Sequence, residues 1–160
     1  MIEELIPYIG LSIQDLKVVK LFKDWKVDYP KKITCTPNND GLRCKLRKDG
    51  IIPSFGIGKY SRYFLPIPLG NKGSYIAQFI MIEVTNKFQG KIPFDISYQS
   101  SHEELTTTLG PSKIIKFVGE TIIWRQNITP KHEIVVSDYT PIGGKTNRSI
   151  IIQYIFEENK

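Results

Sequence analysis

The sequence predicts an α+β domain, an antiparallel β-sheet running largely as a meander, with a few short helices packed on it. Three observations carry this expectation. The chain has 25 Ile but a single Ala, Ala77; β-branched side chains suit a pleated, half-buried surface, whereas Ala favours helix. Its 8 Phe, 8 Tyr and 2 Trp push the same way. Apolar segments in the second half are separated by short turns, which join sequential strands antiparallel. At 160 residues there is room for one domain, 1–160. It divides into an N-terminal helix and hairpin over 1–73 and a strand, helix and C-terminal meander over 74–160. A domain of this size buries about 70% of its unfolded surface, enough to fold without disulfides or metals. With 41% hydrophobic and 24% charged residues, disorder, collagen and coiled coil are excluded.

The first element is a helix. Ser12 with Asp15 resembles a capping box. Ile13, Leu16, Val19 and Phe22 recur at helical spacing beside Leu21 and Trp25, and Lys17, Lys20 and Lys23 fall mostly on the other side. The helix is expected over about residues 13–23, ending before Asp28-Tyr29-Pro30, where proline forces an extended exit. Ile33-Thr34-Cys35-Thr36 and Leu42-Arg43-Cys44-Lys45-Leu46 flank the turn signal Pro37-Asn38-Asn39-Asp40-Gly41, which predicts a hairpin with Cys35 opposite Cys44. The two thiols are expected to be free, as in a reducing compartment. Residues 53–73 carry little period, and loops that long in compact domains tend to be functional. Residues 75–85 read as one strand buried on both faces.

Ser101 and Glu104 form a standard capping box that opens a short helix with Leu105 and Leu109 on one side, stopped at Gly110-Pro111. Three strands follow: 114–118 continuing past Gly119 into 121–126, then 133–138 and 149–156. Short turns join them.

Catalytic and metal motifs fail on spacing. Gly144-Lys145-Thr146 resembles the end of a phosphate loop, but Tyr139 stands where the first glycine is needed and an Ile-rich strand follows where a helix should. Two Cys and two His, far apart, do not make a zinc set. His102, Glu103 and Glu104 are consecutive, so on a helix they diverge and more naturally form an acidic first turn. The expectation is a non-enzyme with no cofactor and no metal. The acidic start Met1-Ile2-Glu3-Glu4 lacks the basic region of a signal peptide, and no run of 18 apolar residues occurs, so a cytoplasmic protein with no membrane partner is expected.

The charge of +6 is uneven. Residues 1–62 hold twelve Lys or Arg against seven Asp or Glu, whereas 63–160 hold ten against nine. Arg43, Lys45, Arg47 and Lys48 lie within six residues, followed by Lys59 and Arg62 interleaved with Tyr60 and Tyr63. This group reads either as a solvated strand edge guarded by cations or as a recognition surface for an acidic partner. For recognition, Tyr and Arg fit a protein hot spot. Basic and aromatic residues also fit nucleic acid, which ranks second because no nucleic-acid-binding signature accompanies them.

The run Phe88-Gln89-Gly90-Lys91-Ile92-Pro93-Phe94-Asp95-Ile96, then Ser101, Glu104-Leu105, Leu109-Gly110-Pro111-Ser112, Gly119 and Trp124, resembles the layout of small bacterial immunity proteins of polymorphic or contact-dependent growth inhibition systems. The opening Leu5-Ile6-Pro7-Tyr8-Ile9-Gly10-Leu11 is similar to the head of such proteins. The resemblance implies a non-catalytic inhibitor that binds the C-terminal domain of a cognate toxin, and it carries no functional residue across. The expected toxin-binding residues therefore rest on charge and aromatics: Arg43, Lys45, Arg47, Lys48, Lys59, Tyr60, Arg62 and Tyr63. If that cluster is only a solvated edge, the C-terminal strands are the alternative binding face.

Overall fold

Period-two alternation builds the sheet. In residues 132–138, His132, Ile134, Val136 and Asp138 are buried and the residues between them are only partly so. The computed structural model describes residues 2–25, 50–56 and 78–155 in full, and 34–35, 41–43, 68–69 and 74–76 as backbone. In chain order the elements are α1 (Ile2–Leu5), a 3-10 turn (Ile6–Tyr8), α2 (Leu16–Asp24), β1 (Thr34–Cys35), β2 (Gly41–Arg43), β3 (Ile51–Gly56), β4 (Pro68–Leu69), β5 (Ser74–Ile76) and β6 (Gln78–Val84). A second 3-10 turn (Pro93–Asp95), α3 (His102–Leu109), β7 (Lys113–Phe117), β8 (Gly119–Thr129), β9 (His132–Thr140) and β10 (Asn147–Tyr154) complete the order. The fold is α+β. Seven strands pair antiparallel in the order β2-β3-β6-β10-β9-β8-β7, and β1-β5-β4 form a small second sheet.

One register row shows how the core is made. Ile51 lies opposite Val84, Val84 opposite Ile150, Ile150 opposite Val136, and Val136 opposite Trp124, and all five side chains are buried. Ile2 and Leu5 of α1, Val18 and Phe22 of α2, and Leu105 and Leu109 of α3 join this row in one hydrophobic cluster. Between β6 and the edge strand β7 the chain runs through residues 85–112, with α3 set against β8. The meander β7-β8-β9-β10 then returns until β10 pairs with β6.

The capping box holds: Ser101 Oγ accepts from the Glu104 amide and the Glu104 carboxylate accepts from the Ser101 amide. Gly110, at φ 89°, ends the helix. Other expectations are corrected. Helix α2 begins at Leu16, not Ile13, because the carboxylate capping it is that of Asp15, which accepts from the Lys17 amide, while Ser12 turns its hydroxyl to Gln14. Its buried side is Val18 and Phe22, with Leu16 and Val19 exposed. Among the described residues β1 pairs with β5, putting Cys35 opposite Tyr75, and β2 pairs with β3, while residues 36–40 and 44–46, through which the expected hairpin would pair, lie outside the described residues. Cys44 lies outside the described residues. Residues 75–85 divide between β5 and β6, which belong to different sheets, and β6 buries Phe79, Ile82 and Val84 while its other residues are half-buried.

Gly119 does not continue a strand but reverses it, so four strands follow α3. With φ 104° it occupies a region L side chains avoid, and a Cβ there would stand 2.5 Å from Thr140 O. Gly119→Ala is therefore expected to destabilise the fold by about 1–3 kcal/mol in urea denaturation. An unchanged midpoint would show that the β7-β8 turn tolerates a side chain.

Candidate protein-interaction edge

Of the residues expected to bind a partner, Arg43 is the last residue of β2, opposite Ser54. Lys45, Arg47, Lys48, Lys59, Tyr60, Arg62 and Tyr63 lie outside the described residues.

Leu16, Val19 and Phe94 apart, the large apolar side chains exposed among the described residues lie on β7, near the end of β9 and in the turns there. Every residue of β7 is exposed. Ile114 is 56% exposed, Val118 62% and Phe117 93%, although this stretch reads in sequence like a core strand. The cause is position. Among the described residues β7 is the last strand of the sheet, paired on one side to β8. The β9-β10 turn starts beside the β7-β8 turn, where the Gly119 backbone lies against Thr140 and Pro141. The β9-β10 turn carries Ile142, 85% exposed. The Tyr139 hydroxyl donates to Val118 O at 2.7 Å, linking the two turns. Several large apolar side chains exposed at one end of a sheet are what protein interaction sites present. Lys113 and Lys116 flank it. Lys116 reaches Glu120 across the hairpin at 3.2 Å, and Lys113 makes no ion pair among the described residues.

A buried ionic cluster stiffens this half of the sheet. Asp138, on β9, is 2% exposed at its side chain. Arg148, on β10, donates to both its oxygens, from Nε at 2.7 Å and Nη2 at 2.6 Å. Arg148 Nη1 also donates to the carbonyls of Tyr98 and Ser100. His102 Nε2 lies 2.9 Å from Asp138 Oδ2, and its ring rests on Trp124. Burial pushes the Asp138 carboxyl up, but the hydrogen bonds and charges of Arg148 and then His102 outweigh burial and hold it below its ordinary value. The Trp124 indole donates to Thr106 Oγ1 on α3. The chain before α3, its first turn and its middle are thus tied to β8, β9 and β10. His102, set aside in the sequence reading as part of an acidic turn, is one arm of this clamp.

His132, the second histidine, is buried, with Nε2 at 3.0 Å from Ile9 O and Nδ1 at 2.8 Å from Thr129 Oγ1. Among the described residues no three His, Cys, Asp or Glu side chains converge as metal ligands, and no helix is long and apolar enough to cross a membrane. The clamp had a signal in the sequence: Asp138 keeps step with Ile134 and Val136, as Arg148 does with Ile150 and Ile152, so each charge falls on the buried face. Compared with family models, curated proteins and solved structures, the chain matches none.

Proposed function

We propose that this chain is a cytoplasmic immunity protein, a non-catalytic inhibitor that binds and neutralises the C-terminal domain of a cognate bacterial toxin. The observation that carries the reading is the apolar, solvent-facing end of the meander, where Phe117, Val118 and Ile142 stand exposed on a braced scaffold. An inhibitor needs a rigid surface with a few large apolar anchors and an attractive rim. The sequence resemblance over residues 88–124 supports the same reading, and the charge of +6 calls for a toxin with an acidic face.

The test looks for a toxin domain encoded beside this chain's gene and, where one is found, measures its binding. Phe117→Ala and Ile142→Ala should each weaken binding by about 2 kcal/mol, roughly thirtyfold in Kd, if they are anchors. Charge reversal at Lys45 and Arg47 should act on the association rate alone, and only if the basic cluster forms part of the rim. Protection of toxin-producing cells should fall with Kd. Binding that ignores the apolar variants, or salt-sensitive affinity for any random oligonucleotide in place of toxin binding, would overturn the proposal.

A further inference from the structure

We infer that β7 is a docking edge to which an extended, acidic segment of a partner protein adds as an eighth strand of the main sheet. The inference rests on the binding reading above for its partner, and on the edge itself for its mode.

An antiparallel strand directs half of its backbone N–H and C=O groups to each side. Among the described residues β7 pairs only with β8, and no other backbone hydrogen bond reaches residues 113–117. A row of donors and acceptors therefore faces outward, the requirement for strand addition. The guards that usually block such an edge are shortness, lysine, proline, a bulge or an overlying loop, and of these β7 carries lysines, which repel another basic edge and attract an acidic strand. β7 has no proline, its register with β8 is unbroken, and all five of its residues are exposed.

Charge chooses the occupant. Lys113 and Lys116 sit three residues apart, on opposite faces of the strand, with Ile114 and Ile115 between them. A strand laid antiparallel beside β7 gains most with an acidic residue opposite each lysine, apolar residues opposite the isoleucines and an aromatic opposite Phe117. A second copy of this chain offers basic residues from an equally basic edge, on molecules that each carry +6. An acidic partner is attracted where a second copy is repelled. Among the described residues the opposite end of the sheet is β2, Gly41–Arg43.

The probe that follows from the register is the capped peptide Tyr-Glu-Val-Val-Glu-Thr, with Tyr-Lys-Val-Val-Lys-Thr as its charge-reversed control. Titrated into the isotope-labelled full chain and followed by NMR, the acidic peptide should shift the amides of residues 113–118 and slow their hydrogen exchange. N-methylation of alternate peptide amides should abolish the effect, because strand addition needs those donors. The surface variant Lys113→Glu/Lys116→Glu should bind the acidic peptide about tenfold more weakly and the lysine peptide correspondingly better. Shifts confined to other residues, equal binding of the N-methylated peptide, or concentration-dependent pairing of β7 with itself would each overturn the inference. If the acidic peptide docks on β7 while the neighbouring toxin domain does not bind at all, strand addition stands and the immunity reading fails.

Discussion

Arg148→Met should cost the fold about 3–5 kcal/mol, because it leaves a buried carboxylate without its main partner. Asp138 is 2% exposed, and the Arg148 guanidinium supplies two of its hydrogen bonds while holding the Tyr98 and Ser100 carbonyls. His102 alone would remain, and more than half of its side chain is in water. A domain of this size has roughly 5–15 kcal/mol in total, so the loss should show plainly in urea denaturation. Replacing both charges, Asp138→Leu with Arg148→Met, should recover much of it, since an apolar pair of similar volume often matches a buried ion pair. A single variant within 1 kcal/mol of the parent would show that the clamp contributes little.

The same cluster sets an acid limit. The folded-state Asp138 carboxyl is held below its ordinary value, so the unfolded chain binds the proton more readily. Its contribution is therefore complete above the ordinary carboxylate range and declines as pH falls through the depressed value. In Arg148→Met the depression is relieved, and this part of the acid sensitivity should fall with it.

The parts of the fold legible in sequence were local. The box of Ser101 with Glu104 and the stop at Gly110 depend on neighbours within a turn, and both formed as read. Alternation in β9 and β10 is equally local. Pairing partners are not: nothing near β1 or β2 in the sequence states that they pair with β5 and β3, further along the chain. A lone glycine in an apolar run can be a bulge or a reversal, and the antiparallel pairing of Phe117 with Gly119 decides for the reversal. The candidate site was hidden for a related reason. Ile114, Ile115 and Phe117 have the composition of a core strand, and nothing in their order states that β7 is last in the sheet. Charge, by contrast, is visible in any sequence, which drew the reading towards residues 43–62.

Phe22→Ala should also cost about 3–5 kcal/mol, whereas Leu16→Ala, on the same helix, should stay within about 0.5 kcal/mol of the parent. The sequence placed both residues on one apolar stripe. The difference follows from helix geometry: six positions turn Leu16 about 120° from Phe22, so Phe22 points into the core beside Val18 and Leu16 is left 83% exposed. Phe22 is fully buried and meets Phe55, Phe79 and Trp25 edge-on, with ring centroids 5.2, 5.6 and 5.8 Å away. Truncation therefore removes the transfer free energy of a whole ring and three aromatic contacts, and opens a cavity that β3 and β6 are too well paired to close. Leu16 loses only exposed surface, and Ala is the better helix former. Urea denaturation of the two variants gives the comparison directly. Equal destabilisation by both would mean that α2 is rotated towards the stripe of Leu16 and Val19, and that the aromatic cluster joining it to the sheet is arranged differently.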